Sequence, residues 1–229
     1  MKIGALHKTS LIEFPGCISC IIFIQGCNFR CPYCHNPELV LPEKFVPPLS
    51  TSEVMDFLIK RRKYLEGVVI TGGEPCSDND LIPFIKILKE MGYAIKIDTN
   101  GSFPDVLEKI FKENIVDYIA MDVKGPPEKY SKIAGVEVDM GKIKDSIFLI
   151  MKGKVPYEFR TTVVKEMLDI DDFEGIGKLI QGAELFYLQH FRPSKAVDPV
   201  ALSYHTYSDT EFEEIRRIML KYVKRCEVR

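Results

Sequence analysis

The sequence has no tryptophan and little glutamine. It also lacks any uninterrupted apolar run of the eighteen or more residues that a membrane-spanning helix requires. The apolar patch from Ile18 to Ile24 is broken by Ser19 and Cys20, starts late, and lacks the small-residue cleavage pattern of a secretory signal. The formal net charge is −2, so no basic excess argues for a nucleic-acid partner. There is neither an internal repeat nor a low-complexity segment. A cytoplasmic protein with no membrane or nucleic-acid partner is therefore expected. Its 229 residues, 46% hydrophobic and 28% charged, suit a single domain spanning 1–229. Plentiful lysine and glutamate beside scarce glutamine lean towards a heat-adapted source and say nothing of function.

What the chain does have is an odd set of seven cysteines, with Cys27, Cys31 and Cys34 falling within eight residues. Disulfide frameworks belong to small secreted chains, so metal or cluster ligation better explains the dense group. Three thiolates spaced Cys-x3-Cys-x2-Cys can hold three irons of a cubane cluster and leave the fourth without a protein ligand. Catalytic sites keep such an open position, whereas structural sites usually close it. Two other readings stay open: a zinc site completed by His35 or a remote cysteine, and redox-inert buried thiols. Cys17 and Cys20 lie three apart, an offset that points them to opposite faces of a strand and favours buried free thiols. Cys76, just after a Gly-Gly-Glu-Pro stretch, falls near any ligand bound there, and Cys226 has no motif around it.

Six runs rich in Val, Ile, Phe or Tyr read as strands: 19–25, 67–71, 94–99, 118–123, 157–164 and 185–191. Helical stretches alternate with them. One is opened by Ser50 with Glu53 three residues on, and others run over 81–91 (stopped by Gly92), 104–114, 140–151 and 171–181. A last helix over 210–225 is announced by Ser208 and Glu211. Pro42–Pro48 and Pro193–Tyr207 read as surface loops. Alternation with crossovers this long implies parallel strands, and six units are too few for a closed eightfold barrel. The fold expected is α/β, a partial (βα)6 TIM-like barrel. Chemistry in such sheets gathers at the C-terminal strand ends. The unusual sequences lie there: the cysteine loop, Thr71-Gly72-Gly73-Glu74-Pro75, Asp98-Thr99-Asn100-Gly101 and Asp122-Val123-Lys124.

The cysteine loop, with Phe23-Ile24-Gln25-Gly26 before it, resembles the radical S-adenosylmethionine (radical SAM) superfamily. Lys8-Thr9-Ser10-Leu11-Ile12-Glu13-Phe14-Pro15-Gly16 and Cys34-His35-Asn36-Pro37 narrow the likeness to glycyl-radical-enzyme activating enzymes, and nearest to activators of anaerobic ribonucleoside-triphosphate reductase. The resemblance implies an oxidoreductase whose cofactors are a 4Fe–4S cluster on Cys27, Cys31 and Cys34 and S-adenosylmethionine on the open iron. Reductive cleavage would give a 5′-deoxyadenosyl radical that removes a hydrogen atom from a glycine of a partner glycyl radical enzyme. Reduced ferredoxin or flavodoxin would be the electron donor. A radical enzyme acting on a small molecule or nucleotide, and a non-catalytic iron–sulfur or zinc protein, remain the alternatives.

The same resemblance assigns cofactor-binding positions. Tyr33 and the backbone of His35 would meet adenine, and the main chain of Gly72, Gly73 and Glu74 the amino end. Asp122 would meet the ribose and Lys124 the carboxylate, with Val123 between them in the same stretch. Strand alternation puts Asp122 and Lys124 on one face, opposite Ile119, Met121 and Val123, so a structural ion pair competes with the binding role. Arg160 and Asn100 are further candidates on the polar faces of their strands. His190 is a candidate for the ribose, although alternation favours Gln189 as the inward residue.

Overall fold

In the computed structural model, which describes residues 1–229, eight strands form one sheet whose spatial order is the chain order. They are β1 (Ile3–Ser10), β2 (Ser19–Ile24), β3 (Gly67–Gly72), β4 (Ala94–Thr99), β5 (Tyr118–Asp122), β6 (Tyr157–Val163), β7 (Phe186–His190) and β8 (Cys226–Val228). The connections carry α1 (Pro37–Val40), α2 (Thr51–Arg61), α3 (Leu81–Glu90), α4 (Pro104–Glu113), α5 (Tyr130–Ala134), α6 (Met140–Lys152), α7 (Asp172–Leu179) and α8 (Asp209–Met219). Strands β2 to β8 run parallel, and β1 pairs antiparallel with β2. β1 and β8 do not pair, so the sheet stays open. Its β2–β7 portion is the expected partial barrel. No helix is long and apolar enough to cross a membrane.

Two faces with different chemistry follow from the two-residue period of the strands. One face carries Ile22, Ile24, Val68, Ile70, Ile95, Ile97, Ile119, Met121, Phe159 and Leu188, all buried in the core shared with the helices. The concave face changes character along its length. At its N-terminal end Ile21, Val69 and Tyr118 close around Phe14, which the β1–β2 connection delivers, and the Phe14 and Tyr118 rings are 6.1 Å apart. Higher up the same face becomes charged.

The helix starts announced at Ser50 and Ser208 carry complete capping boxes, with Glu53 and Glu211 returning the bond to each cap. Gly92, at φ +83°, takes the left-handed turn that ends α3's exit. Five elements differ from the sequence reading. β1 is a largely exposed strand with only Ile3 and Ser10 buried, too weakly patterned to register. α8 stops at Met219 rather than 225, because Val223 and Cys226 turn inward and the chain re-enters the sheet as β8. α1 and α5, of four and five residues, fall below the length at which a helical period shows.

Candidate active site

The cysteine loop leaves β2 and is held by backbone bonds from distant parts of the chain. Gly26 N–H donates to Leu39 O at 2.8 Å, Arg30 N–H to Ala134 O at 2.8 Å, and Asp198 N–H to Pro32 O at 3.0 Å. Arg30 Nη1 folds back onto the carbonyls of Cys27 and Phe29 at 2.6 and 2.7 Å. The β3 loop joins from the other side, with Glu74 N–H donating to Gly26 O at 2.7 Å. Gly72 sits at φ +119°, a conformation that side chains avoid, and Gly73 lies directly against the Gly26 carbonyl. These bonds fix the loop's shape without involving its sulfurs.

Cys27, Cys31 and Cys34 line one cavity of about 490 Å³ at the C-terminal mouth of the sheet, and all three thiols are free. Tyr33, His35, Gly72, Gly73, Glu74, Asn100, Asp122, Lys124, Arg160 and His190 line it as well. Val123 is the exception. Its side chain is fully buried in the helix-side core and does not line the cavity. Its main chain is spent on the sheet, with its N–H donating to Arg160 O and its carbonyl accepting from Thr161 Oγ1. Gln189 and His190 both reach the cavity, and the His190 ring leans on Phe212, 4.0 Å between centroids. Phe191, Arg192 and Ser194 complete that rim. Phe191 ends the run read as a strand, Ser194 falls in the stretch read as surface loop, and no motif marks any of the three. Cys76 is buried with its N–H on Glu74 Oε1 and does not line the cavity. Cys17, Cys20 and Cys226 also lie outside it.

A buried ion network fills the concave face beneath the mouth. Arg160 grips Asp122 through two bonds of 3.2 Å and reaches Asp98 Oδ2 at 3.1 Å, while Lys96 Nζ meets Asp98 Oδ1 at 2.5 Å. Lys124 Nζ stands 3.9 Å from Asp122. Burial pushes the Asp122 carboxyl up, but the Arg160 guanidinium and Lys124 ammonium overcome it and hold the group at about 2. Burial works against the Lys124 charge too, and Asp122 keeps it firmly protonated. Asp122 is thus an ion-pair partner by structure, with the cavity beside it.

Two expected results follow. Arg160→Met leaves Asp98 and Asp122 under-compensated in the interior and is expected to cost about 3–5 kcal/mol in urea unfolding of the iron-free protein. The depressed Asp122 pKa contributes stability that is complete above its ordinary value of 3.8 and is lost as pH falls towards 2. Asp122→Asn should therefore remove roughly 2 kcal/mol of the acid dependence between pH 5 and pH 2, read from urea midpoints across that range.

Glu74 is fully buried. Its carboxylate accepts from Thr99 Oγ1 at 2.8 Å, Asn100 N–H at 2.6 Å and Cys76 N–H at 2.9 Å. Burial raises its pKa against those three donors. Its side chain ties the β3 loop to the β4 loop, which leaves the Gly72–Gly73 main chain as the part presented to a ligand.

These features fit a cluster and a nucleoside-sized cofactor better than a single ion. No three His, Cys, Asp or Glu side chains converge on a point that one metal ion could fill, which is what a zinc site would require. Cubane ligands bind separate irons and stand further apart. The cavity has the volume of a small-molecule site. Tyr33 adds a buried hydroxyl with no hydrogen-bond partner among the protein groups.

The sequence profile of the radical SAM superfamily matches residues 21–180. A Methanocaldococcus jannaschii protein whose name places it among glycyl-radical enzyme activating enzymes is 35% identical, over 99% of this chain and 95% of its own length. The pyruvate formate-lyase-activating enzyme of Listeria monocytogenes is 28% identical over 93% of this chain and 86% of its own. Among solved structures, a domain of pyruvate-formate lyase-activating enzyme from Bacteroides vulgatus superposes with a TM-score of 0.58 at 16% identity. That match covers 71% of this chain and 98% of the domain, and it bears on the fold alone.

Proposed function

The chain belongs to the radical SAM superfamily, among the glycyl-radical enzyme activating enzymes, and from that premise we propose that it installs a glycyl radical on anaerobic ribonucleotide reductase. The observation carrying the reading is the set of three free thiols, Cys27, Cys31 and Cys34, lining one cavity. When bound, the 4Fe–4S cluster and S-adenosylmethionine supply one-electron cleavage of a sulfonium and, through it, hydrogen-atom abstraction.

The chain's own groups bind and orient. Cys27, Cys31 and Cys34 hold the cluster. The Gly72–Gly73 main chain takes the amino end of S-adenosylmethionine, the Lys124 ammonium takes its carboxylate, and the Tyr33 ring with the His35 backbone takes adenine. Arg160 holds Asp122 against Lys124 and so fixes that charge at the cavity wall. The gap between β1 and β8 leaves the concave face open to a polypeptide segment. Reduced ferredoxin or flavodoxin is the donor in this reading, and the setting is an anaerobic cytoplasm. The choice of reductase rests on the overall resemblance within the activating enzymes, which Lys8–Gly16 and Cys34–Pro37 narrow to that group.

Anaerobic incubation with reductant and S-adenosylmethionine, with and without the reductase, tests it. The expected result is a glycyl-type paramagnetic signal that requires both proteins, together with 5′-deoxyadenosine. Cofactor cleavage with no glycyl signal on any glycyl radical enzyme encoded alongside would overturn the assignment of a protein substrate.

A further inference from the structure

Asn100 follows β4 and is almost fully buried at the cavity wall, where it makes a set of bonds that cofactor binding does not explain. Its Oδ1 accepts from the Ser102 backbone N–H at 3.0 Å and from Ser102 Oγ at 2.5 Å. A backbone N–H can only donate, so the oxygen of the amide must face Ser102 and its NH2 must face the other way. On that side the Asn100 Nδ2 donates to Asn28 Oδ1 at 2.9 Å and stands 4.0 Å from Cys27 Sγ. Asn28 Nδ2 donates in turn to Ser102 Oγ at 2.9 Å, which closes a ring of three side chains. No other side chain lies within hydrogen-bonding distance of Cys27, Cys31 or Cys34 sulfur. The remaining contact to Cys27 Sγ is the Phe29 backbone N–H at 3.4 Å.

We propose that Asn100 donates an N–H···S hydrogen bond to the Cys27 thiolate and raises the reduction potential of the cluster that this cysteine holds. The inference rests on the reading of Cys27 as a cluster ligand. Hydrogen bonds to cluster sulfurs and the local net charge are the protein's means of setting such potentials. Reduction adds negative charge to the cluster and its thiolates. A donor amide aimed at a thiolate therefore stabilises the reduced form more than the oxidised one. Burial strengthens the effect, because water cannot substitute for the amide there. Asn100 acts through Cys27 and is a positioning and tuning residue.

The test is the cluster's midpoint potential in anaerobically reconstituted protein without S-adenosylmethionine, by EPR-monitored redox titration. Asn100→Ala removes the donor and is expected to move the midpoint to more negative values. Asn100→Asp keeps the acceptor for Ser102 but sets a carboxylate near the thiolate, and should move it further in the same direction. Ser102→Ala leaves the backbone N–H that orients the amide and should leave the midpoint near wild type. Equal midpoints in wild type and both Asn100 variants would overturn the inference. If neither Asn100 variant retains iron, wild-type protein carrying asparagine labelled with 15N at the side-chain amide decides. Pulsed EPR of its reduced cluster should show a 15N coupling, and absence of that coupling overturns the proposal. Failure of wild-type protein to assemble a cluster at all would instead sink the underlying reading of the three cysteines.

Discussion

Serine in place of any one of Cys27, Cys31 or Cys34 is expected to cut cofactor cleavage to background and iron content to a small fraction of wild type. The hydroxyl is a harder and far weaker ligand for iron than a thiolate, so the substitution removes one of the three thiolates expected to hold the cluster. The fold itself should persist. The loop is fixed by Gly26, Arg30 and Pro32 through partners at Leu39, Ala134 and Asp198, none of which involves sulfur. Elemental analysis, visible absorption and chromatography of 5′-deoxyadenosine after anaerobic reconstitution read the loss, while far-ultraviolet circular dichroism reads the retained fold. Cys17→Ser, Cys76→Ser and Cys226→Ser are the controls, since those residues lie outside the cavity, and all three should keep their iron. Normal iron content in a Cys31→Ser protein would remove the basis of the site.

Gly73→Ala should be nearly as damaging by a different route. A Cβ at this position would fall inside the van der Waals envelope of the Gly26 carbonyl, and that contact is backbone to backbone, so no side chain can swing aside. Relieving it means parting the β3 loop from the cysteine loop and losing the Glu74 N–H to Gly26 O bond. Overpacking of this kind typically costs about 1–3 kcal/mol, and a backbone-to-backbone contact falls at the upper end of that range. A lower thermal midpoint together with poor cluster loading is the expected pair of readouts. Gly141→Ala, where the only close neighbour is the Asp139 side chain, serves as the comparison and should change neither. A Gly73→Ala protein that melts like wild type and loads its cluster would show that the two loops are not locked as described.

The parts of the fold that were legible are those in which one physical constraint dominated the local sequence. Strands β3 and β5 are buried on both faces and read as near-continuous apolar runs, so their limits fall within a residue of expectation. β1 carries Gly4, His7, Lys8 and Thr9 on an edge open to solvent, and β8 is three residues long. Neither has a pattern that tertiary contact did not impose. The site was legible through spacing and chemistry at Cys27, Cys31 and Cys34, and through strand parity at Asp122, Lys124 and Arg160. Parity also separated Val123 from Asp122, yet motif membership drew Val123 into the binding set. The Val123 side chain follows that parity into the helix-side core. The rim residues Arg192 and Ser194 lie just beyond β7 in a stretch with no motif to mark them.

Two of the bonds that shape the cysteine loop come from Ala134 and Asp198, more than a hundred residues downstream. During synthesis the loop emerges early, among the first forty residues, while its clamps are still untranslated. Until then the nascent segment exposes three thiols with no scaffold to space them. The full set of bonds that shapes the loop is therefore complete only when nearly the whole polypeptide has been made, because the Asp198 N–H that meets Pro32 O comes so late in the chain.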